Sequence, residues 1–245
     1  MAKRAAVVAI VGIAALAALW IASARIGGYA YAIDNVHWSG SPLPPCFANG
    51  SQCGGHALGT DEVGRDLAAR LVAGGRVSLS ASLLALILEL LLAGALSLAS
   101  RAATPLRFAI DCVVEALSSY AVWPLLVLVA IVLEVRHVSE GRLALLDALA
   151  ALLLACALVR RMNCGVALPP IATLIAREWA AMLMLLATID FFGLGVQPPL
   201  ASWGNLLSNA QANLQVAWWA AVFPALCLVG AALAMEIGGR AISGS

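Results

Sequence analysis

Apolar residues in this chain come in long unbroken runs separated by short polar stretches. Six runs stand out, at 5–24, 77–99, 109–133, 143–159, 171–192 and 218–237. Each is close to or above the length of about 20 residues that an α-helix needs to cross roughly 30 Å of hydrocarbon. Apolar and polar positions do not alternate in period two, so the pattern argues against a β-barrel, and helices are left to satisfy the backbone in lipid. The prediction is an all-α, polytopic membrane protein with about six transmembrane helices. Trp123-Pro124 interrupts the third run and predicts a kink there. The first run follows Lys3-Arg4 and closes on Ala22-Ser23-Ala24, a pattern that a cleaved secretory signal and a retained anchor share. A retained first helix over 1–24, amino terminus inside, is the expectation.

Residues 25–76 form the one long polar stretch, a loop on the outer side in this orientation. Its first half is rich in Gly, Pro, Ser and Asn and reads as irregular. From Thr60 the pattern changes. Thr60 suits a cap, Asp61 and Glu62 suit a first helical turn, and Leu67, Leu71 and Val72 recur on one face, which predicts an amphipathic surface helix. Cys46 and Cys53 share this loop. On an oxidising side of the membrane they are able to pair, and two free thiols are the alternative. Residues 77–245 then make a core of about five further spans, with only a short connection at 160–170.

The composition agrees with the pattern. At 63% hydrophobic and 11% charged, the chain lies far from the roughly 45–50% apolar and 25% charged residues of a soluble domain. A net charge of +1, with no basic run interleaved with aromatics, excludes nucleic acid as an expected partner. With the amino terminus inside, Lys3, Arg4, Arg101, Arg107, Arg160, Arg161 and Arg240 fall inside, and Arg25, Arg65, Arg70, Arg76, Arg136 and Arg142 outside. Four of the outer six lie in the long loop, where positive charge matters less for orientation.

Charges inside the spans are the candidates for function. A central acid costs about 2.5–3.5 kcal/mol on an insertion scale, while each Leu or Ile returns about 0.3–0.6 kcal/mol, so the leucine-rich second run inserts despite Glu89. Glu89, Glu115 and Glu178 are candidate pathway residues, with packed structural acids as the alternative. No catalytic constellation appears. The only lysine is Lys3, so the chain has no P-loop lysine to hold nucleotide phosphates. The three histidines are scattered, and no metal site is expected. The chain is not expected to be an enzyme or to hold a cofactor.

Two blocks of residues carry a resemblance. Gly193-Leu-Gly-Val-Gln-Pro-Pro199, Ser202-Trp203-Gly204, Trp219 and Phe223-Pro224 form one; Leu58-Gly-Thr-Asp-Glu-Val-Gly-Arg-Asp66, with Arg70, Gly74, Arg76 and Ser78, forms the other. In this order the chain resembles the permease subunits of bacterial dipeptide, oligopeptide and nickel ABC importers, and so a permease of type I architecture. The resemblance implies a multi-pass protein of the bacterial inner membrane that forms half of a pathway for peptides or a related small solute. It implies a second homologous permease, one or two P-loop ATPase subunits that bind ATP and Mg, a periplasmic or lipid-anchored binding protein, and surrounding lipid. In that frame Asp61, Arg65, Asp66, Arg70, Arg76, Gln197, Pro198 and Trp203 are candidates for the binding-protein contact or an outer gate. A self-contained ion-pair cluster and a membrane-edge anchor at Trp203 are the alternatives.

The chain departs from that family at one place. Family permeases carry two short cytoplasmic helices with a Glu-Ala-Ala signature, which dock into the ATPase, between the fourth and fifth spans. Here Arg160-Arg161 pass almost directly to Pro169-Pro170, short of that pattern by about 25 to 30 residues. Arg160 and Arg161 are candidates for a residual ATPase contact. A non-transporting scaffold or regulatory subunit is the alternative function.

Overall fold

The computed structural model describes residues 42–49, 56–99, 142–163, 170–197 and 200–243. Among these, the elements are α1 (Cys46–Asn49), α2 (Leu67–Ala99), α3 (Arg142–Asn163), α4 (Ile171–Phe191), α5 (Trp203–Ala210), a single 3-10 turn (Gln211–Asn213) and α6 (Trp219–Ser243). Most of the described residues are helical, as the long apolar runs predict. The expected spans over 5–24 and 109–133 lie outside the described residues.

Three helices, α2, α4 and α6, are long and apolar enough to cross a membrane. At 33 residues, α2 is about 50 Å long, more than the hydrocarbon core requires. The run expected over 77–99 makes up the last two-thirds of this helix, which begins about three turns earlier, at Leu67. The expected surface helix beginning at Thr60 is not what forms. Residues 60–66 make a turn closed by a bridge between Thr60 and Asp66, and the helix starts only at Leu67 and continues without a break into the span. Asp66 is the cap: its Oδ1 accepts from Ala68 N at 3.2 Å. Thr60 is fully buried and serves the turn instead.

The apolar clusters give the directions of the helices. Leu79 shares a cluster with Leu183 and Ala187, while Ala93 lies in another with Leu174, so α2 and α4 run antiparallel. Ala85 groups with Ala150 and Ala151, and Ala93 with Cys156 and Val159, so α3 runs parallel to α2. α6 returns along α4. Near its carboxy-terminal end, Gly239 packs so closely on Ala176 and Thr173 that an added methyl would lie 2.6 Å from Ala176 Cβ, and the Thr173 hydroxyl donates to Gly239 O at 3.1 Å. Pro224 sits within α6 and is fully buried.

α4 stops for a clear local reason. Gly193 has φ 73°, Gly193 N donates to Asp190 O at 2.9 Å and Leu194 N to Ile189 O at 3.1 Å. This is a Schellman ending, which needs a left-handed residue after the cap and joins an apolar residue beyond the glycine to the last turn. Leu194 and Ile189 share one buried cluster. α5 starts with equal definition, since Ser202 and Asn205 satisfy each other's backbone amides in a capping box.

Candidate functional site

The two motif blocks meet at one end of the bundle, where α2 begins, α4 ends and α6 begins. Asp190, in the last turn of α4, organises the loop. Its Oδ1 accepts from Val196 N at 2.8 Å, and the Ser202 side chain hydrogen-bonds the same carboxylate. A methyl on Gly195 would overlap Asp190 Oδ1, and one on Gly204 would overlap the Ala187 carbonyl oxygen and stand 2.6 Å from Asp190 Cβ. Both glycines are there for close approach. Asn205 Nδ2 ties the loop from the other side, donating to Val196 O at 3.2 Å and Leu200 O at 3.0 Å.

Trp203 does not face a membrane surface, contrary to the anchor reading. It is 1% exposed; its indole N–H donates to Leu71 O at 2.9 Å and its backbone N–H to Ser78 Oγ at 3.1 Å. It therefore pins α5 onto α2, where Gly74 leaves room for the Ser202 backbone. An indole whose N–H has a fixed acceptor is stable in a core. Among the described residues, the exposed tryptophan is Trp218.

The other block folds around Asp61. One carboxylate accepts from Val63 N, Arg65 N, Arg65 Nε and Arg70 Nη1 at 3.0, 2.8, 2.7 and 3.1 Å. Gly64 turns the chain at φ 82°. Thr60 receives Leu43 N on its hydroxyl at 2.8 Å, and its carbonyl accepts Trp219 Nε1 at 3.0 Å, joining this turn to the start of α6. Glu62 accepts from Asn213 Nδ2 at 3.2 Å, a second tie to the same region. Asp66 sits beside His56, with 3.6 Å between Oδ1 and Nδ1.

Of the residues singled out by sequence, Asp61, Arg65 and Arg70 come together as one cluster, Asp66 joins its edge, and Arg76 is exposed on α2 among largely buried neighbours. Gln197 is exposed, and its side chain donates back to the Gly193 and Gly195 carbonyls. Glu89 and Glu178 are 0% and 5% exposed. The pairing of Ser78 with Asp190 across one groove, and of Ala93 with Leu174 in one cluster, puts these two acids at the same depth on neighbouring helices. Cys46 is disulfide-bonded. Cys53, Glu115 and Pro198 lie outside the described residues, as do the side chains of Arg160 and Arg161. Asp190, Ser78, Thr60 and Trp219 are the joints that sequence reasoning missed as such. An acid in the last turn of an apolar helix, followed by Gly-Leu-Gly with its free amides, was the available signal for Asp190. Among the described residues, no group of three or more His, Cys, Asp or Glu is placed to hold a metal ion.

No family model matches the chain. The di/tripeptide transport system permease protein DppC of Pseudomonas aeruginosa is 31% identical over 221 residues, covering 80% of this chain and 73% of that protein. The chain belongs to the peptide ABC importer permease family. The dipeptide transport system permease proteins DppC of Escherichia coli K12 and Haemophilus influenzae are 27% and 26% identical, each over 80% of this chain and over 73% and 75% of their own length. Eighty per cent of 245 residues is about 196, so about 25 of the 221 aligned positions of the Pseudomonas permease have no counterpart here. α3 ends at Asn163 and α4 starts at Ile171, which leaves seven residues, 164–170, for the connection between them. This permease-family chain is membrane-embedded, with three helices long enough to span among its described residues.

Proposed function

We propose that the chain is one permease subunit of a bacterial inner-membrane importer for short peptides, crossing the membrane several times and forming half of the pathway. The carrying observation is the 31% identity to a di/tripeptide permease over 73% of that protein's length. It is supported by the way the two motif blocks converge on one interlocked end of the bundle. The other half of the pathway belongs to a second, homologous permease. Separate P-loop ATPase subunits bind ATP and Mg, and a periplasmic or lipid-anchored binding protein delivers the peptide. This chain itself holds no cofactor and catalyses no reaction. Asp61, Arg65, Asp66, Arg70, Arg76 and Gln197 belong to the face toward the binding protein, with the Asp61 cluster giving it a fixed shape. Glu89 and Glu178 line the route between helices, and Arg160 and Arg161 border the short connection that meets the ATPase.

Co-purification of the tagged chain in mild detergent, followed by mass spectrometry of its partners and an ATPase assay, tests this reading. Recovery of a second permease with P-loop subunits supports it. Partners lacking a P-loop, or the chain alone, would instead make the seven-residue connection decisive and the chain a non-transporting subunit.

A further inference from the structure

Residues 42–49, which include α1, lie across the joint between the 60–66 turn and the start of α6. Thr60 N donates to Leu43 O at 3.0 Å, Leu43 N donates to Thr60 Oγ1 at 2.8 Å, and Cys46 N donates to Ala57 O at 3.3 Å. Pro45 and Thr60 are fully buried. A Cβ on Gly59 would meet Leu43 O, Trp219 Nε1 and Pro45 N within 3.0 Å, so the segment, the turn and the first residue of α6 touch at one point. The Phe47 ring stands edge-on to Phe223, with 6.3 Å between centroids. Lifting the segment would open Thr60 and the Trp219 indole to water.

The segment has little of its own to keep it there. α1 is a single turn of four residues, far short of the about 12–15 residues at which a helix becomes stable alone. Phe47 is 67% exposed, so its contact with Phe223 covers only a small part of the ring. The covalent tie is the disulfide at Cys46. Cys156 and Cys227 are free, so the partner sulfur belongs to a cysteine outside the described residues. Cys46 is half-buried and open to a small thiol. In the proposed orientation it lies on the oxidising side, where a disulfide persists until a dithiol meets it.

We propose that this disulfide is a redox-operated catch: oxidised, it holds residues 42–49 over Thr60 and Trp219; reduced, it lets them lift. The reductant is a dithiol of the outer compartment. One of its thiols, as the thiolate, attacks a sulfur of the disulfide and displaces the other, which takes up a proton. The second thiol then attacks the mixed disulfide and frees the remaining cysteine. The chain gains two electrons and two protons, and the dithiol leaves as a disulfide. The Asp61 cluster does not depend on the catch, because its bonds to Val63, Arg65 and Arg70 all lie within residues 61–70. Reduction therefore loosens one edge of the outer face and leaves the cluster standing. The consequence for transport rests on the proposed function: with residues 42–49 lifted, the face toward the binding protein loses its fixed shape, and uptake falls.

Hydrogen exchange of the purified complex, with and without dithiothreitol, tests the catch. Alkylation and peptide mapping first confirm that Cys46 has become a thiol and identify its partner. Amides in peptides covering 43–48 and 57–60 should then exchange about thirtyfold faster, the lower end of what a disulfide supplies, while those covering 67–72 and 203–210 should hold their rates. Cys46→Ser should show the fast pattern without reductant. Thr60→Val, which deletes the bond to Leu43 N and keeps the disulfide, should stay close to the parent until reductant is added. Unchanged exchange of 43–48 once Cys46 is alkylated, or acceleration spread equally over 203–210, overturns the catch. Peptide uptake into reconstituted vesicles should fall on reduction of the parent and should not respond to reductant in Cys46→Ser. Uptake that is equal in both redox states while the exchange changes overturns the regulatory role. Absence of uptake in either state counts against the proposed function alone, since the exchange reads the catch without it.

Discussion

Gly204 is the position where one added methyl group tests the joint between α4 and α5. A Cβ there would stand 2.6 Å from Asp190 Cβ and 3.0 Å from the Ala187 carbonyl carbon, and would overlap the Ala187 carbonyl oxygen. Ordinary carbon contacts lie near 3.5–4.0 Å, so α5 must withdraw from α4 by about 1 Å to admit it. Two of those obstacles are backbone and cannot rotate away. The withdrawal also pulls on Trp203 and Asn205, which hold hydrogen bonds of 2.9–3.2 Å to Leu71, Val196 and Leu200. Overpacking of this kind costs about 1–3 kcal/mol. At about 2–4 °C per kcal/mol for a chain of this size, the middle of that range, about 2 kcal/mol, should make Gly204→Ala lower the unfolding midpoint by about 4–8 °C. Gly94→Ala and Gly230→Ala are the matched controls: nothing lies within 4 Å of a Cβ at either site, and both should match the parent or gain slightly from helix propensity. The assay is thermal unfolding of the detergent-solubilised protein, followed by fluorescence-detected size exclusion. A midpoint for Gly204→Ala within about 2 °C of the two controls would refute the close-approach account.

Three further outcomes are expected. Asp61→Asn should destabilise by about 3–5 kcal/mol, because Arg70, 3% exposed, loses its charged partner in a buried site; Arg65→Gln, which removes a 28% exposed partner, should cost about 1 kcal/mol or less, and equal losses in thermal unfolding would show that burial does not set the cost. Gly59→Ala should destabilise by at least about 1–3 kcal/mol, since φ is 81° and a Cβ would sit 2.6 Å from Leu43 O and 2.9 Å from Trp219 Nε1; limited proteolysis between α1 and α2 should report the loosened turn. Glu89→Gln and Glu178→Gln should each bring peptide uptake in reconstituted vesicles to background while leaving complex assembly intact, and unchanged uptake in both would remove these acids from the route.

The apolar runs that became α4 and α6 were legible because each depends on local chemistry. An apolar run bounded by Pro170 and Gly193 has few other ways to lie in a bilayer, and α4 occupies Ile171–Phe191 as the run predicts. The start of α2 was misjudged for an equally physical reason. Thr60, Asp61 and Glu62 carry the usual signature of a helix amino terminus, yet Asp61 has a stronger local use: its carboxylate closes a turn on Val63 and Arg65 while reaching Arg70 nine positions on. Asp66 then takes over as cap. Trp203 failed as an interfacial anchor because its hydrogen-bond acceptor, the Leu71 carbonyl, lies 132 positions away in the chain, and no local pattern reports such a pairing.

The ties are unevenly distributed, and this bears on how movement at the short connection can travel. α4 is held to the rest by polar joints near both ends: Asp190 and its loop at one, Thr173 to Gly239 at the other, with Trp179 Nε1 donating to Ser82 Oγ between them at 3.1 Å. α6 is fixed through Trp219 to Thr60 and so to the Asp61 cluster. Among the described residues, α3 meets α2 through apolar side chains such as Ala150, Ala155, Cys156 and Leu158, and contacts of that kind can slide by small steps. A push delivered to residues 164–170 therefore meets two different responses. α4 carries it as a rigid rod to the interlocked end with α5 and α6, and α3 yields along α2. The family's longer connection would spread such a push over docking helices; seven residues between two helix ends leave little slack to absorb it. Inserting a flexible Gly-Ser segment of about ten residues between Asn163 and Ile171 separates the alternatives. If the short connection is the mechanical input, the insertion uncouples ATP hydrolysis from uptake while the complex still assembles. If the second permease alone receives the push, uptake survives the insertion unchanged, and the rigid-rod account of α4 fails.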